Sequence, residues 1–491
     1  FSKEDLLKTA LKHSIGNFTI KDIEKTITDA LKTKQIIKSE FGNNAYTSKE
    51  LLQKEKDIIR ISKRGLNKSA SIINPKVFEK RFSYHEKHNT RGYHLNNQQV
   101  NAVRHILTSK DKITAIQGLP GVGKSTVLET VNTMSKGKII TIGTAPTASA
   151  AKTLEESSQI KSKTLHYFIG KYRGYLEGRG TKDGLIKVQK DFKKSVVFVD
   201  EVSLVGTRQM HDLLNLSEIL KFRVVLVGDT KQLSAVEAGK PFEQMLEVIS
   251  SVNLTKIIRQ KEGEHIKAIE NVANNKILES FKIHEQNIKG TKQFVSQAVK
   301  QYLSLTEHEQ KNTILISPSR EHRDQINNLV VKELAEANKL GQSVHKLEVL
   351  KPIELKHSDY NFTRSYKEEY IIKFNKDYKS IGINKGDSLT VASINQETNT
   401  LLFKQGIRNI RFQLKHNIDY TSKLEVFEKT TLDIRERMKL RITKNDHGLV
   451  NSETAHVTKI NAQSQTISLR LENNQVVTKD LGTLKHVDYR Y

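Results

Sequence analysis

From residue 95 onward, short apolar runs alternate with segments of helical spacing. Residues 112–117 (Lys-Ile-Thr-Ala-Ile-Gln), 138–143, 195–199 and 223–227 are short and rich in β-branched residues. Such runs predict strands covered on both faces, hence a parallel sheet flanked by helices. Upstream, Leu6, Leu7, Ala10 and Leu11, then Ile23, Ile27 and Leu31, recur at helical spacing and predict a small helical domain, winged-helix-like, over residues 1–94. Within it, Ile36 and Ile37 followed by Tyr46 suggest a strand pair leading into a Thr- or Ser-capped helix, with Glu50 three residues after Thr47 as a capping box would place it.

A second α/β stretch is expected to start at residues 313–317 (Thr-Ile-Leu-Ile-Ser), followed by a helix over 323–338 whose apolar face is Ile326, Val330 and Leu334. After residue 352 the pattern alternates: residues 370–374, 388–391, 400–403 and 454–457 are short runs bounded by Gly, Asn and Asp, and predict one or two small β-barrels. The Gly-rich, charged segment 172–184 reads as a solvated surface loop.

At 491 residues the chain is too long for one ordinary domain. Its 81 Lys and Arg against 55 Asp and Glu leave a net charge of +26, which makes a polyanion the first partner to consider. Hydrophobic residues at 36% still fill several modest cores, so wholesale disorder is excluded. The absence of cysteine excludes disulfides, thiolate zinc sites and cysteine nucleophiles. No stretch approaches the ~18–20 apolar residues of a membrane span, so no membrane insertion is expected. An intracellular, cytoplasmic protein fits best, and Lys-, Ile- and Asn-rich usage suggests an AT-rich bacterial genome. The first residue, Phe1, and the ending at Tyr491 suggest an internal piece of something longer.

The strongest chemical signal is residues 118–125: Gly118, Leu119, Pro120, Gly121, Val122, Gly123, Lys124 and Ser125 form a full G-x-x-x-x-G-K-S between an expected strand and helix. The glycines let backbone N–H groups close around phosphates, Lys124 neutralises β/γ charge, and Ser125 offers a hydroxyl to Mg²⁺. An apolar strand ending in Asp200 and Glu201 distinguishes a hydrolase from a kinase or switch: Asp200 suits the Mg²⁺ shell, and Glu201 can orient and deprotonate the attacking water. A third strand end, 228–232, places Gln232 to sense the γ-phosphate, and Arg259 is a candidate for transition-state charge stabilisation. His85, His88 and His94 lie close in sequence, but their spacing does not suit a helical zinc pair and a solvated basic segment is expected.

Taken in order, these residues resemble superfamily 1 helicases of the RecD-like branch. Residues 95–103 look like the Q motif, 118–125 motif I, 145–154 motif Ia and 164–166 motif Ib. Asp200 and Glu201 then fall at motif II, 228–233 with 238–242 at motif III, and 254–260 at motif IV. The flanks look most like the helicase part of conjugative relaxase-helicases of the TraI/TraA type, with residues 46–55, 313–327 and 446–455 resembling segments of those proteins. The resemblance implies a RecA-like ATP-binding domain at 95–260, a linker and the start of a second RecA-like domain at 261–351, and SH3-like barrel insertions at 352–491. It implies ATP and Mg²⁺ as cofactors and 5′ to 3′ translocation on single-stranded DNA during plasmid transfer. By motif, Gln99 would contact adenine, while Pro146, Thr147, Thr164 and His166 would lie near the DNA strand.

Two departures follow. Nothing in residues 1–94 offers the histidine cluster and tyrosine of a relaxase domain, so that domain or other conjugation machinery is an expected partner. Motifs V and VI would begin where the chain stops, so the second core domain is expected to be incomplete. The competing readings are a P-loop scaffold that binds ATP and DNA without productive hydrolysis, and a P-loop kinase or RNA-directed helicase. The patterns at 145–147 and 228–233 disfavour the last. Low aromatic content, 6% with no Trp, favours sequence-independent strand binding.

Overall fold

The computed structural model describes residues 1–14, 18–38, 45–89, 92, 94–283, 293–355, 359–406, 408–415, 418, 420–445 and 448–491. Residues 446 and 447 of the barrel-like segment therefore lie outside the described residues. The chain divides into two compact units: residues 30–288, and residues 289–491 together with 1–29. The helical region expected over 1–94 is thus shared between the units.

The N-terminal helices are α1 (Lys3–Ser14) and α2 (Ile20–Lys32). The 30–288 unit then carries the hairpin β1 (Ile36–Lys38) and β2 (Tyr46–Ser48), and the helices α3 (Lys49–Arg64), α4 (Pro75–Lys87) and α5 (Asn97–Thr108). The hairpin confirms the expected strand pair, and of the two expected caps the serine is used, so the Thr47–Glu50 capping box does not form. Ser48, not Thr47, caps α3 by accepting from the Leu51 N–H at 3.1 Å, which moves Glu50 out of the box position.

Next come β3 (Ile113–Gly118), α6 (Lys124–Ser135), β4 (Ile140–Ala145), α7 (Ala148–Ser158) and β5 (Ser162–Thr164). They are followed by α8 (Leu165–Leu176), α9 (Lys182–Phe192), β6 (Ser195–Val199), α10 (Thr207–Leu220), β7 (Arg223–Gly228), α11 (Pro241–Leu246) and β8 (Ser251–Leu254). The six strands β3 to β8 form one parallel sheet in the order β5-β4-β6-β7-β3-β8. Their unbroken apolar runs have a direct cause. Val197, Val199, Val224 and Leu226 face the core beneath α3, α8 and α10, while Val196, Phe198, Val225 and Val227 face the core beneath α4 to α7. Alternation is hidden because both faces are buried.

Segment 172–184 is not the long loop expected. α8 continues to Leu176 and α9 starts at Lys182, capped by Thr181, so only residues 177–181 connect them. Tyr172 packs edge-on against Phe168 and Phe192, and this burial holds the helix through the glycines.

The 30–288 unit ends with α12 (Gly263–Ala273) and α13 (Ile277–Ile283). Beyond them stand α14 (Phe294–Ser304), α15 (Glu307–Lys311) and α16 (Arg320–Glu336), the last as expected from its apolar face. Residues 313–317 do not form the expected strand: no strand pairs with them among the described residues, and Ile314 and Ile316 are exposed. The alternating C-terminal runs do form strands, in a six-stranded and a five-stranded antiparallel sheet, each over its own apolar cluster. Register shifts at Val391/Ser393 and Val457/Lys459 bend these sheets.

Candidate nucleotide site

All six parallel strands end on one edge, and the motif residues lie there. Gly118 ends β3, and the loop to α6 turns through two left-handed glycines, Gly121 (φ +76°) and Gly123 (φ +81°). A Cβ on Gly121 would come within 2.9 Å of both the Arg259 Cβ and the Gln260 Oε1, and one on Gly123 would collide with the Gln99 amide. Only glycine lets the loop pass these neighbours. Lys124 opens α6, and its Nζ donates to the carbonyls of Gly118 (2.8 Å) and Leu119 (3.3 Å). Ser125 follows it in the first turn, where the positive end of the helix favours an anion.

Arg259 reaches the cradle through its main chain. The N–H groups of Ile258 (2.8 Å) and Arg259 (3.0 Å) both donate to the Gly121 carbonyl. Gln99 is 2% exposed; its Nε2 donates to the Val122 carbonyl (3.1 Å) and its Oε1 accepts from Asn96 N–H (3.0 Å), so it forms a wall of the loop. Its neighbour Gln98, which sequence reasoning passed over, accepts from the N–H groups of Thr255 (2.9 Å) and Lys256 (3.0 Å) and ties α5 to the Arg259 segment.

Asp200 follows β6, its N–H held by the Thr144 carbonyl (2.9 Å). Its carboxylate accepts from the Glu201 N–H (3.0 Å), yet burial and the adjacent Glu201 charge push its pKa up to about 6 against the pull of that bond and of Lys124. Glu201 itself sits at φ +50°, a left-handed conformation that a non-glycine residue adopts at some cost. On the neighbouring strand Asp229 is 0% exposed but satisfied: Gln117 Nε2 (3.1 Å) and Lys231 N–H (3.0 Å) donate to Oδ1, and Gln232 Nε2 (3.1 Å) to Oδ2. Gln117 also accepts from the Thr230 N–H, which makes it a second residue that sequence reasoning missed; the signal was a polar side chain ending an apolar strand.

The residues expected near a DNA strand follow β4 and β5 on the same edge, β4 being the neighbour of β6. Ala145 of β4 pairs with Thr164 of β5, so residues 146–147 and 164–166 emerge side by side. Thr147 and Thr164 cap α7 and α8, Pro146 is partly buried, and His166 is exposed rather than packed. Among the described residues no group of three or more His, Cys, Asp or Glu is placed to hold a metal. The residues at the edge do fit a magnesium ion: two adjacent carboxylates, one of them poorly compensated, and a hydroxyl form an oxygen-only set suited to a hard cation.

A phosphate cradle, an acidic strand end and an arginine fastened to the cradle define a P-loop nucleotide site. Residues 94–291 match the family described as AAA domain. The chain is 24% identical over 302 residues to the conjugal transfer protein TraA of Rhizobium radiobacter, covering 60% of this chain and 26% of that one. It is 22% identical over 451 residues to the multifunctional conjugation protein TraI of Escherichia coli K12, covering 81% and 24% respectively. With the ATP-dependent RecD2 DNA helicase of Deinococcus radiodurans it shares 31% over 150 residues, 30% of this chain and 20% of that one. The chain is thus similar to conjugation proteins of the TraI/TraA type and to a RecD2 helicase, and it spans about a quarter of the length of the conjugation proteins named. Among the described residues no helix is long and apolar enough to cross a membrane.

Proposed function

We propose that this chain is the ATP-driven motor portion of a conjugative DNA-transfer protein, moving 5′ to 3′ along single-stranded DNA in the bacterial cytoplasm. The observation that carries the reading is the gathering of cradle, acidic pair and arginine on one edge of one sheet. Lys124 moves from its carbonyl partners to the β/γ-phosphates, and loop N–H groups bind the remaining oxygens. Ser125 and Asp200 hold magnesium, which supplies charge neutralisation on the phosphates when bound. Glu201 orients the attacking water and accepts its proton. Gln232 meets the γ-phosphate, and Arg259 stabilises charge in the transition state. Gln99 keeps the cradle wall and lies on the adenine side. Pro146, Thr147, Thr164 and His166 contact the DNA strand beside the ATP edge, with a relaxase domain or conjugation machinery as partner.

The test is the ATPase rate with and without single-stranded DNA, against Lys124→Ala. DNA-stimulated turnover that vanishes in Lys124→Ala supports the motor. Binding of ATP and DNA with turnover no higher than Lys124→Ala would instead identify a nucleotide-binding scaffold.

A further inference from the structure

The opposite edge of the parallel sheet holds a second concentration of charge. A cleft of about 600 Å³ opens where α3 and α10 end and β3 and β7 begin. Lys63, Arg64 and Lys68 form one side, Lys221 and Arg223 another, and Lys112 the floor. β3 separates this cleft from the P-loop by six residues, roughly 20 Å of strand, so the two sites are distinct.

Most of these cations are not explained by internal pairing. Glu218 is shared by Arg64 and, at 3.7 Å, by Lys112. Arg223 donates to the carbonyls of Ala70 (3.2 Å) and Ser109 (3.3 Å). Lys63, Lys68 and Lys221 make no ion pair among the described residues. Part of the charge answers the two helix C-termini, each equivalent to about half a negative charge; even after these, Glu218 and the nearby Asp111, a surplus of roughly three positive charges remains. Burial also pushes the Lys112 ammonium below its usual pKa, with Lys221 and Arg64 adding repulsion against the attraction of Glu218. An anion in the cleft relieves that repulsion.

Lys221 adds an independent observation. It ends α10 at φ +67°, a left-handed position where glycine or asparagine is favoured and a lysine costs about 1 kcal/mol. The strained position is occupied by a charge facing the cleft.

We propose that this cleft is a second phosphate-binding surface, taking successive backbone phosphates of a nucleic-acid strand at the sheet edge away from the P-loop. The cations come from three elements rather than converging on one point, which suits a run of phosphates more than a single one. Phe222, the aromatic residue in the lining, is fully buried, so no ring is offered to a base and recognition is independent of sequence.

The test compares the intact chain with Lys63→Glu/Lys68→Glu/Lys221→Asn, the last chosen because asparagine tolerates the left-handed turn. A charge-matched control, Lys332→Glu/Lys339→Glu/Lys300→Asn, alters exposed lysines of the other unit. Binding is read for a short labelled strand, for one several times longer, and for inorganic tripolyphosphate, across a salt series and with melting curves to confirm folding. The cleft variant is expected to lose on the order of tenfold affinity for the long strand and to lower its salt slope by roughly 2, as three lost phosphate contacts require. The short strand, DNA-independent ATP hydrolysis and the control remain near wild type. Equal losses in variant and control would overturn the proposal, since net charge alone would then explain them. Loss of tripolyphosphate binding with long-strand binding intact would also overturn it, assigning the cleft to a small polyphosphate. Because the readout is binding, the outcome is separate from whether the chain is a motor.

Discussion

Two neighbouring strands of the parallel sheet each end in an aspartate, and the two ends are built for opposite purposes. At the end of β7, Asp229 is fully buried, and Gln117, Lys231 and Gln232 donate to its carboxylate. At the end of β6, Asp200 receives one backbone donor and faces the charge of Glu201, so its proton affinity rises. A buried carboxylate supplied with donors is a structural clip. One left short of donors beside a second carboxylate is suited to a cation and to proton chemistry.

The sharpest way to break this contrast is Glu201→Gln. Turnover is expected to fall by roughly 10²–10⁴, the usual scale of a general base, while ATP binding measured by calorimetry persists. A variant that keeps near-normal turnover would remove Glu201 from the chemistry. Next in size is Asp229→Ala, which strands several donors and is expected to cost about 3 kcal/mol in denaturant melts. If Asp229→Ala melts like the parent, the clip interpretation fails.

A smaller effect separates the two aspartates by pH. Without nucleotide or divalent cation, Asp200 binds its proton more tightly folded, at about 6, than unfolded, at 3.8. The native state therefore holds the extra proton between those values, and stability declines as pH rises from 3.8 through about 6, then levels. Asp200→Asn should lack this decline and melt higher than the parent at pH 7, by on the order of 2 kcal/mol after screening, with the gap closing in acid. A gap that is constant with pH would contradict the shifted carboxyl. The smallest test is Gln99→Ala. A loop-wall role predicts a few-fold loss of affinity for ATP and GTP alike, whereas an adenine contact predicts a loss for ATP alone.

Local pattern was enough to read the sheet strands and the cradle, because burial on both faces leaves apolar runs and the phosphate loop is contiguous in sequence. The supporting polar ties were not legible. Gln117 acts on Asp229 and Gln98 on Thr255, more than a hundred residues away, and no local spacing announces such partners. The misreadings have physical causes as well. Tyr172 carries α8 through a glycine-rich stretch by packing on Phe168, and Ser48 outcompetes Thr47 as a cap because the β2 pairing extends through Ser48. At 313–317 an apolar run met the pattern of a strand, but a strand also needs a neighbour, and a run of five residues does not reveal one.

The two bonds onto the Gly121 carbonyl make the arginine and the cradle one mechanical part. Gly121 holds a left-handed conformation, and its carbonyl lies in the peptide it shares with the buried Val122. Both bonds share that one acceptor, so any change that turned the Gly121 carbonyl away would break them together. With Gln98 holding Thr255 and Lys256 and the Gly121 carbonyl holding Ile258 and Arg259, the main chain that carries the arginine is anchored on both sides of Ile257.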